Sequence, residues 1–312
     1  MLRTFLLLAF TFFTQIGQSD PIFTKQNAAV SQSLNKDIKF WEDIFSKYEG
    51  SHCVYHDTEN LDAIFWVSTI QSKSNRLVKR QIKRQKKQIK QALTRLSKGQ
   101  ASRSWLDKRI VNQLPRHLRN RSYYRAAKNR IRCQKGVATN FRQSLARSQK
   151  YIGMIRDRFK RKGLPQGLAY LPHLESGFNA KAKSKVGARG LWQLMPATAR
   201  QFLKVNRYRD ERVHPYKSTL AAAKILKGNF RKTQSWPLAI TAYNYGINGI
   251  MRAVRKYDTT DYLKIRRKHR TRIFGFAAKN FYPSFIAVKN LASRHDNKMA
   301  GYNPNQNKKA AF

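Results

Sequence analysis

The sequence predicts an all-α protein, with a very basic helical region followed by a second helical region that is richer in apolar residues. Three observations predict it. Apolar residues recur at helical spacings along most of the chain. No segment of convincing length alternates with the period of a strand. The hydrophobic fraction is 41% and the aromatic fraction 12%, which is enough for a core. That excludes a disordered chain despite 64 Lys and Arg against 16 Asp and Glu, a formal charge of +48. The same imbalance excludes an ordinary neutral cytosolic enzyme as the default reading. The 15 glycines and 9 prolines are too few for a collagen-like or linker-dominated chain. Two cysteines exclude a disulfide-dense miniprotein and a Cys-rich zinc fold. The 312 residues suffice for one large or two modest domains.

Residues 1–19 read as an export signal. Arg3 precedes the uncharged apolar run from Phe5 to Phe13, and the small residues Gly17 and Ser19 stand before a cut at Asp20. The run is shorter than the ~20 apolar residues a spanning helix needs; an uncleaved anchor is the other reading. Export implies a periplasmic or envelope location. In an oxidising compartment Cys53 and Cys133 are candidates for a disulfide, which would contribute ~4 kcal/mol through the entropy of loop closure. Two separate buried thiols are the alternative.

Residues 20–135 form the basic helical region. Ile38, Trp41, Ile44, Phe45 and Tyr48 are spaced like a helix face, and Leu61, Ile64, Phe65, Val67 and Ile70 give a second such run. Residues 76–150 hold 24 Lys and Arg against one acid, Asp107. Val78, Ile82, Ile89, Leu93 and Leu96 still fall on one stripe, so this is an amphipathic helix with a basic outer face. Leu106 to Leu118 suggest another helix, interrupted at Pro115.

Residues 136–292 form the second region. Phe141, Leu145, Tyr151, Ile152, Ile155 and Phe159 predict one helix, ended at Gly163. Further helices are expected at Thr198–Leu203, from a Ser218 N-cap to Leu226, at Pro237–Tyr245 and near Tyr282–Leu291. Residues 293–312 read as a polar, frayed tail.

Chemistry concentrates in three segments. Leu164, Leu168, Leu171, Glu175 and Phe178 are spaced 4, 3, 4 and 3, so Glu175 falls on the apolar stripe of its helix. Desolvation there favours the neutral acid, and such a glutamate can donate a proton at neutral pH. The second segment runs from Asn179 through Ser184, Gly187 and Gly190 to Trp192, Gln193 and Met195. It combines a tight turn, an aromatic face, an amide and a soft filler, which suits a sugar. The third is Ala242-Tyr243-Asn244-Tyr245-Gly246, which puts a phenol and an amide after an apolar run. Each has a bland counterpart: a surface glutamate, a loop with a packed tryptophan, a core tyrosine. His52 and His56 stand four apart without a third partner, so no metal site is expected, and neither a phosphate-cradling loop nor a Ser-His-Asp set is present.

Taken together, Glu-Ser-x-Phe-Asn, then Gly-Ala-x-Gly-Leu-Trp-Gln-x-Met-Pro-x-Thr-Ala, then Ala-Tyr-Asn-x-Gly resemble the catalytic domain of soluble-lytic-transglycosylase type, most of all the membrane-bound lytic murein transglycosylase D family. The resemblance is strong from Phe141 to Asn244 and weaker through Phe274–Tyr282. It implies a lysozyme-like helical catalytic domain that cleaves the β-1,4 bond between N-acetylmuramic acid and N-acetylglucosamine, leaving 1,6-anhydro ends and needing no cofactor. Carried over by position, Glu175 is the single acid/base, while Ser184, Gly190, Trp192, Gln193, Met195, Tyr243 and Asn244 contact the glycan or support the acid. The chain departs from the family at His214, where an aspartate is usual; a capping or pairing role is expected there. Asp210 or Glu211 as the second carboxylate of a hydrolase is the first alternative. A catalytically silent basic protein that binds anionic envelope polymer or nucleic acid is the second. The expected partners are peptidoglycan strands, with anionic envelope polymers or a lipid surface held through residues 76–135. Nucleic acid is not expected, and the protein is expected to be a monomer.

Overall fold

In a computed structural model of the chain, residues 21–100 and 104–301 are described. The export signal therefore lies outside the described residues. The molecule is mostly helical, as predicted, but it also contains a three-stranded sheet that the periodicity did not reveal.

Helices α1 (Pro21–Ser33) and α2 (Asn35–Ser46) open the described chain. α2 buries Ile38, Phe40, Trp41 and Ile44, the expected stripe. Strands β1 (His52–Asp57) and β2 (Ile64–Thr69) follow, then α3 (Asn75–Ser97), α4 (Trp105–Gln113), α5 (Arg121–Ala127) and β3 (Ile131–Lys135). The sheet order is β2-β1-β3, antiparallel throughout, with Val54 opposite Val67 on one side and Gln134 on the other. The run from Leu61 to Ile70 is thus a strand and its lead-in, not a helix.

The reason lies in β1. Its residues from Cys53 to Asp57 are all buried, so no polar face alternates with an apolar one. Val54 joins the larger of two cores, while Cys53 and Tyr55 point into the smaller one. The central strand is a wall between them. The smaller core lies between the sheet and α3, α4 and α5, and a disulfide links Cys53 to Cys133 with a Cα–Cα distance of 5.5 Å. α3 buries Val78, Ile89, Leu93 and Leu96 as expected. Its outer face leaves Arg76, Lys79, Arg80, Lys83, Arg84, Lys87 and Lys90 exposed.

The larger core is built by α2 and by α6 (Ala138–Ser148), α7 (Ile152–Arg161), α8 (Pro172–Glu175), α9 (Pro196–Ala199), α10 (Pro215–Thr233), α11 (Trp236–Tyr245), α12 (Ile247–Tyr257), α13 (Tyr262–Lys268) and α14 (Phe276–Gly301). The single helix expected from Phe141 to Phe159 is two. The six-residue step from Leu145 to Tyr151 is too long for one stripe, and the chain turns there. The segment after Pro196 is one short turn of helix rather than a run to Leu203. α10 begins earlier than expected: His214 is its N-cap, Pro215 fills the first position, and Ser218 donates back to the His214 carbonyl at 2.9 Å. α14 continues to Gly301, into the segment read as a frayed tail. Asp296 ties it down by accepting from Arg156 at 2.8 Å and from Tyr170 at 2.9 Å. No helix among the described residues is long and apolar enough to cross a membrane.

Candidate active site

Glu175 is the last residue of α8, where Leu164, Leu168 and Leu171 fix the stripe by burying beneath it. The single helix expected from Leu164 to Phe178 is instead a 3-10 turn, Gln166–Tyr170, followed by the short α8, which Pro172 opens at its first position. The Glu175 side chain is half-buried, and burial alone pushes its carboxyl up to about 8. Among the described residues no cation pairs with it. The group is therefore held in its proton-bearing form at neutral pH.

The surroundings are over-determined. His173, two residues earlier, has Nδ1 2.6 Å from Ser144 Oγ, which pins α8 to α6; burial pushes its imidazole down to about 3, so it stays neutral. Two and three residues after Glu175, Gly177 and Phe178 both take positive φ (57° and 57°). For phenylalanine that is a strained conformation, held here because the ring is fully buried and its N–H reaches the Pro172 carbonyl at 3.1 Å. Arg147 donates to the Gly177 carbonyl at 2.7 Å, and Ser176 donates to the Leu191 carbonyl at 2.8 Å. The second contact welds the acid's turn to the glycine-rich loop. Sequence reading missed Ser144, Arg147 and His173. Only Ser176, inside the first motif, carried a signal.

That loop owes its shape to Gly190. It has φ +77°, and a Cβ there would stand 1.9 Å from the Arg212 carbonyl oxygen, so only glycine fits. Its N–H donates to the Ala182 carbonyl at 2.9 Å. Gly190 therefore shapes the loop through its backbone. Gln193, also at positive φ (45°), donates its amide to the Gly190 carbonyl at 3.1 Å. Ser184 closes the turn by accepting from the Ala188 N–H at 2.9 Å. Buried Arg212 bridges both flanks, donating to the Gly187 carbonyl at 2.7 Å and the Leu194 carbonyl at 3.0 Å.

Trp192 requires a correction. Its side chain is fully buried, stacked on Phe159 with centroids 5.5 Å apart, and its indole N–H donates to Thr219 at 3.0 Å. It belongs to the core and offers no flat face to a sugar. Its carbonyl matters instead, accepting from the Tyr243 hydroxyl at 2.9 Å. Burial, and then the nearby Glu175 carboxylate, hold the Tyr243 phenol well above its ordinary value. The structure thus brings Glu175, Trp192 and Tyr243 into one cluster.

Beside it opens a cleft of about 870 Å³, lined among others by Gln193, Met195, Tyr243 and Tyr245. Met195 is 42% exposed there. Glu175, Ser184 and Asn244 are not among the residues that line this cleft, so Tyr243 is what joins it to the acid; Asn244 is exposed at the end of α11. His214 caps α10, its Nδ1 accepting from Lys217 N at a long 3.5 Å. Asp210 is clasped by Arg212 at 2.8 Å and Arg189 at 2.9 Å, which hold its carboxyl down to about 2. Glu211 accepts from Lys217 at 2.6 Å and from the Lys204 N–H at 2.9 Å and is likewise held at about 2.

Residues 154–265 match the family profile of the transglycosylase SLT domain. That stretch is similar to the transglycosylase SLT domain. The match spans α7 through α13 and encloses Glu175, the glycine-rich loop and Tyr243. The chain is similar to the membrane-bound lytic murein transglycosylase D of Escherichia coli K12, 28% identical over 189 residues, which are 59% of this chain and 36% of that protein. It is also 36% identical over 111 residues to a putative tributyltin chloride resistance protein of an Alteromonas species, covering 35% of this chain and 54% of that one. It thus spans about a third to a half of the length of these curated relatives. A lytic transglycosylase Slt from Pseudomonas aeruginosa aligns with 90% of this chain and 38% of its own, at 16% identity and a TM-score of 0.37.

Proposed function

We propose that the chain is an exported peptidoglycan lytic transglycosylase of the periplasm or cell envelope. It cleaves the β-1,4 bond between N-acetylmuramic acid and N-acetylglucosamine and leaves a 1,6-anhydro-muramic end. The observation that carries the reading is the state of the acids. Between Gly163 and Gly249 the only carboxylates are Glu175, Asp210 and Glu211. The last two are committed to arginine and lysine partners, which leaves Glu175 as the one proton donor.

A hydrolase that retains or inverts ordinarily needs two carboxyl groups flanking the bond. One suffices if the substrate supplies the nucleophile. Glu175 in its acid form protonates the leaving glycosidic oxygen. The positive charge that develops at the muramic C1 is relieved by the sugar's own 2-acetamido oxygen. Glu175, now ionised, takes the proton from the C6 hydroxyl as that oxygen attacks C1. The proton count closes, the acid is regenerated, and no water is consumed. Because attack is intramolecular it draws on effective molarities of ~10⁵ M or more. General acid/base assistance adds ~10²–10⁴-fold. The buried surroundings of Glu175 suit both halves, since a carboxyl near neutral pKa gives and takes a proton with little bias.

The basic face of α3 has a separate role in this reading: it holds the enzyme near anionic envelope polymer by salt-sensitive attraction. The experiment for the whole reading is mass spectrometry of the products released from purified sacculi. Anhydro-muropeptides from the wild type, and none from Glu175→Gln, are expected. Reducing muramic ends would instead mark a hydrolase, and no sugar product at all would mark a binding protein.

A further inference from the structure

The cleft beside Gln193 and Tyr243 has an unusual charge. Besides those residues and Met195 it is lined by Lys224, Lys227, Arg231 and Lys232 of α10 and by Arg252 of α12, and none of its lining residues is acidic. Lys224, Lys227 and Arg231 are spaced three and four apart, so they share one face of α10. Arg252 belongs to a different helix, so cations reach the cleft from two elements. Lys227 spends its ammonium on the Lys162 carbonyl at 3.1 Å, and Lys224 lies 5.7 Å from the centre of the Phe202 ring. Among the described residues no carboxylate pairs with Lys224, Arg231, Lys232 or Arg252, and all four are exposed. Within this stripe stands Gly228, which also lines the cleft, and a Cβ there would meet nothing within 4 Å.

A neutral sugar needs amide and aromatic contacts, which Gln193 and Tyr243 offer; it has no use for four unpaired cations. We infer that α10 and α12 make this cleft select glycan strands whose muramic residues carry free carboxylates, in preference to neutral or carboxyl-blocked strands. This deepens the reading of the chain as a peptidoglycan-cleaving protein and rests on it. The shared chemistry is the carboxylate, which has two sources: the lactyl group of a muramic residue that carries no peptide, and the acidic residues of an attached peptide.

The test measures binding by the full chain carrying Glu175→Gln, so that no strand is cut. Soluble strands are prepared in three forms: native with peptides, stripped of peptides, and native with carboxyl groups methyl-esterified. Native strands should bind about tenfold tighter than esterified ones, the yield of a few exposed charge pairs, and the ratio should shrink as salt rises. Adding Lys224→Gln, Arg231→Gln and Arg252→Gln should bring the ratio near one. Arg231→Lys with Arg252→Lys should keep it, which separates charge from fold. Tight binding of stripped strands shows that a freed lactyl carboxylate suffices; its loss assigns the recognition to the carboxylates of the peptide. Equal binding of native and esterified strands overturns the inference, and so does a full preference in the triple glutamine variant, which would move the recognition to α3. If the wild type releases no sugar product while the charge preference persists, the proposed activity fails and this inference stands.

Discussion

At the scale of single residues, the site depends on a proton held by burial. Glu175 is raised from 4.5 to about 8 with desolvation as the cause. Its acid form is therefore abundant at neutral pH and lost above it, so anhydro-product release should fall as pH rises through about 8. The same shift predicts a stability effect of known sign. The folded state binds the proton more tightly than the unfolded state, so ionisation costs stability as pH rises from about 4.5 to 8. Glu175→Gln, which cannot ionise, should melt higher than wild type at pH 8, with the gap closing at pH 4; thermal scans at both values check it. Gly190→Ala is the opposite kind of change. It places a methyl against the Arg212 carbonyl in a left-handed conformation, and should cost at least ~2 kcal/mol in denaturant titrations and disorder the Gln193 loop.

At the scale of elements, one buried carboxylate ties the sheet to α5. Asp57 closes β1 with no exposed side-chain surface and accepts from Tyr123 at 2.9 Å and from Arg130 at 2.7 Å. Asp57→Ala should cost about 3 kcal/mol, because it strands a buried hydroxyl and a guanidinium. Hydrogen exchange should show the loss in β1, β3 and α5, with α10 and α11 protected as before. The sheet also shows how far pattern reading reaches. α3 was legible in outline, since one face is wet and the 3.6 period survives, though Ile82 is only half-buried and Gln85 was not foreseen in the stripe. β1 was not, because both its faces are covered and the alternation that marks a strand is erased. His52 and His56 were spaced for a helix face, but on an extended strand they lie ~13 Å apart.

At the scale of the whole molecule, charge and topology separate. The cations of α3 cover the smaller core and those of α10 and α12 line the cleft of the larger one. Deleting residues 76–135 would remove three helices and β3 and open the smaller core, so it does not test tethering. Replacing Arg76, Arg80, Lys83 and Lys87 with glutamine leaves the buried stripe intact. That variant should leave sacculi at a lower salt concentration than wild type; an unchanged elution profile would dismiss the tether. The disulfide closes a loop with a sequence separation of 80, so reduction should cost up to ~4 kcal/mol, read as a drop in denaturation midpoint with added reductant.

The three motifs, the place of Glu175 on an apolar stripe and the scarcity of other acids were all present in the linear order of residues, because side-chain type and helical period survive without a fold. Which of those residues face a ligand was not. Trp192 looked like a sugar platform and is a core residue, since only packing against Phe159 and Thr219 decides where an indole points. Ser144, Arg147 and Arg212 lie far along the chain from the carbonyls and ring they hold, and no local pattern announces a contact made across the core. Residue chemistry is carried by the chain itself; desolvation and direction come from its neighbours in space.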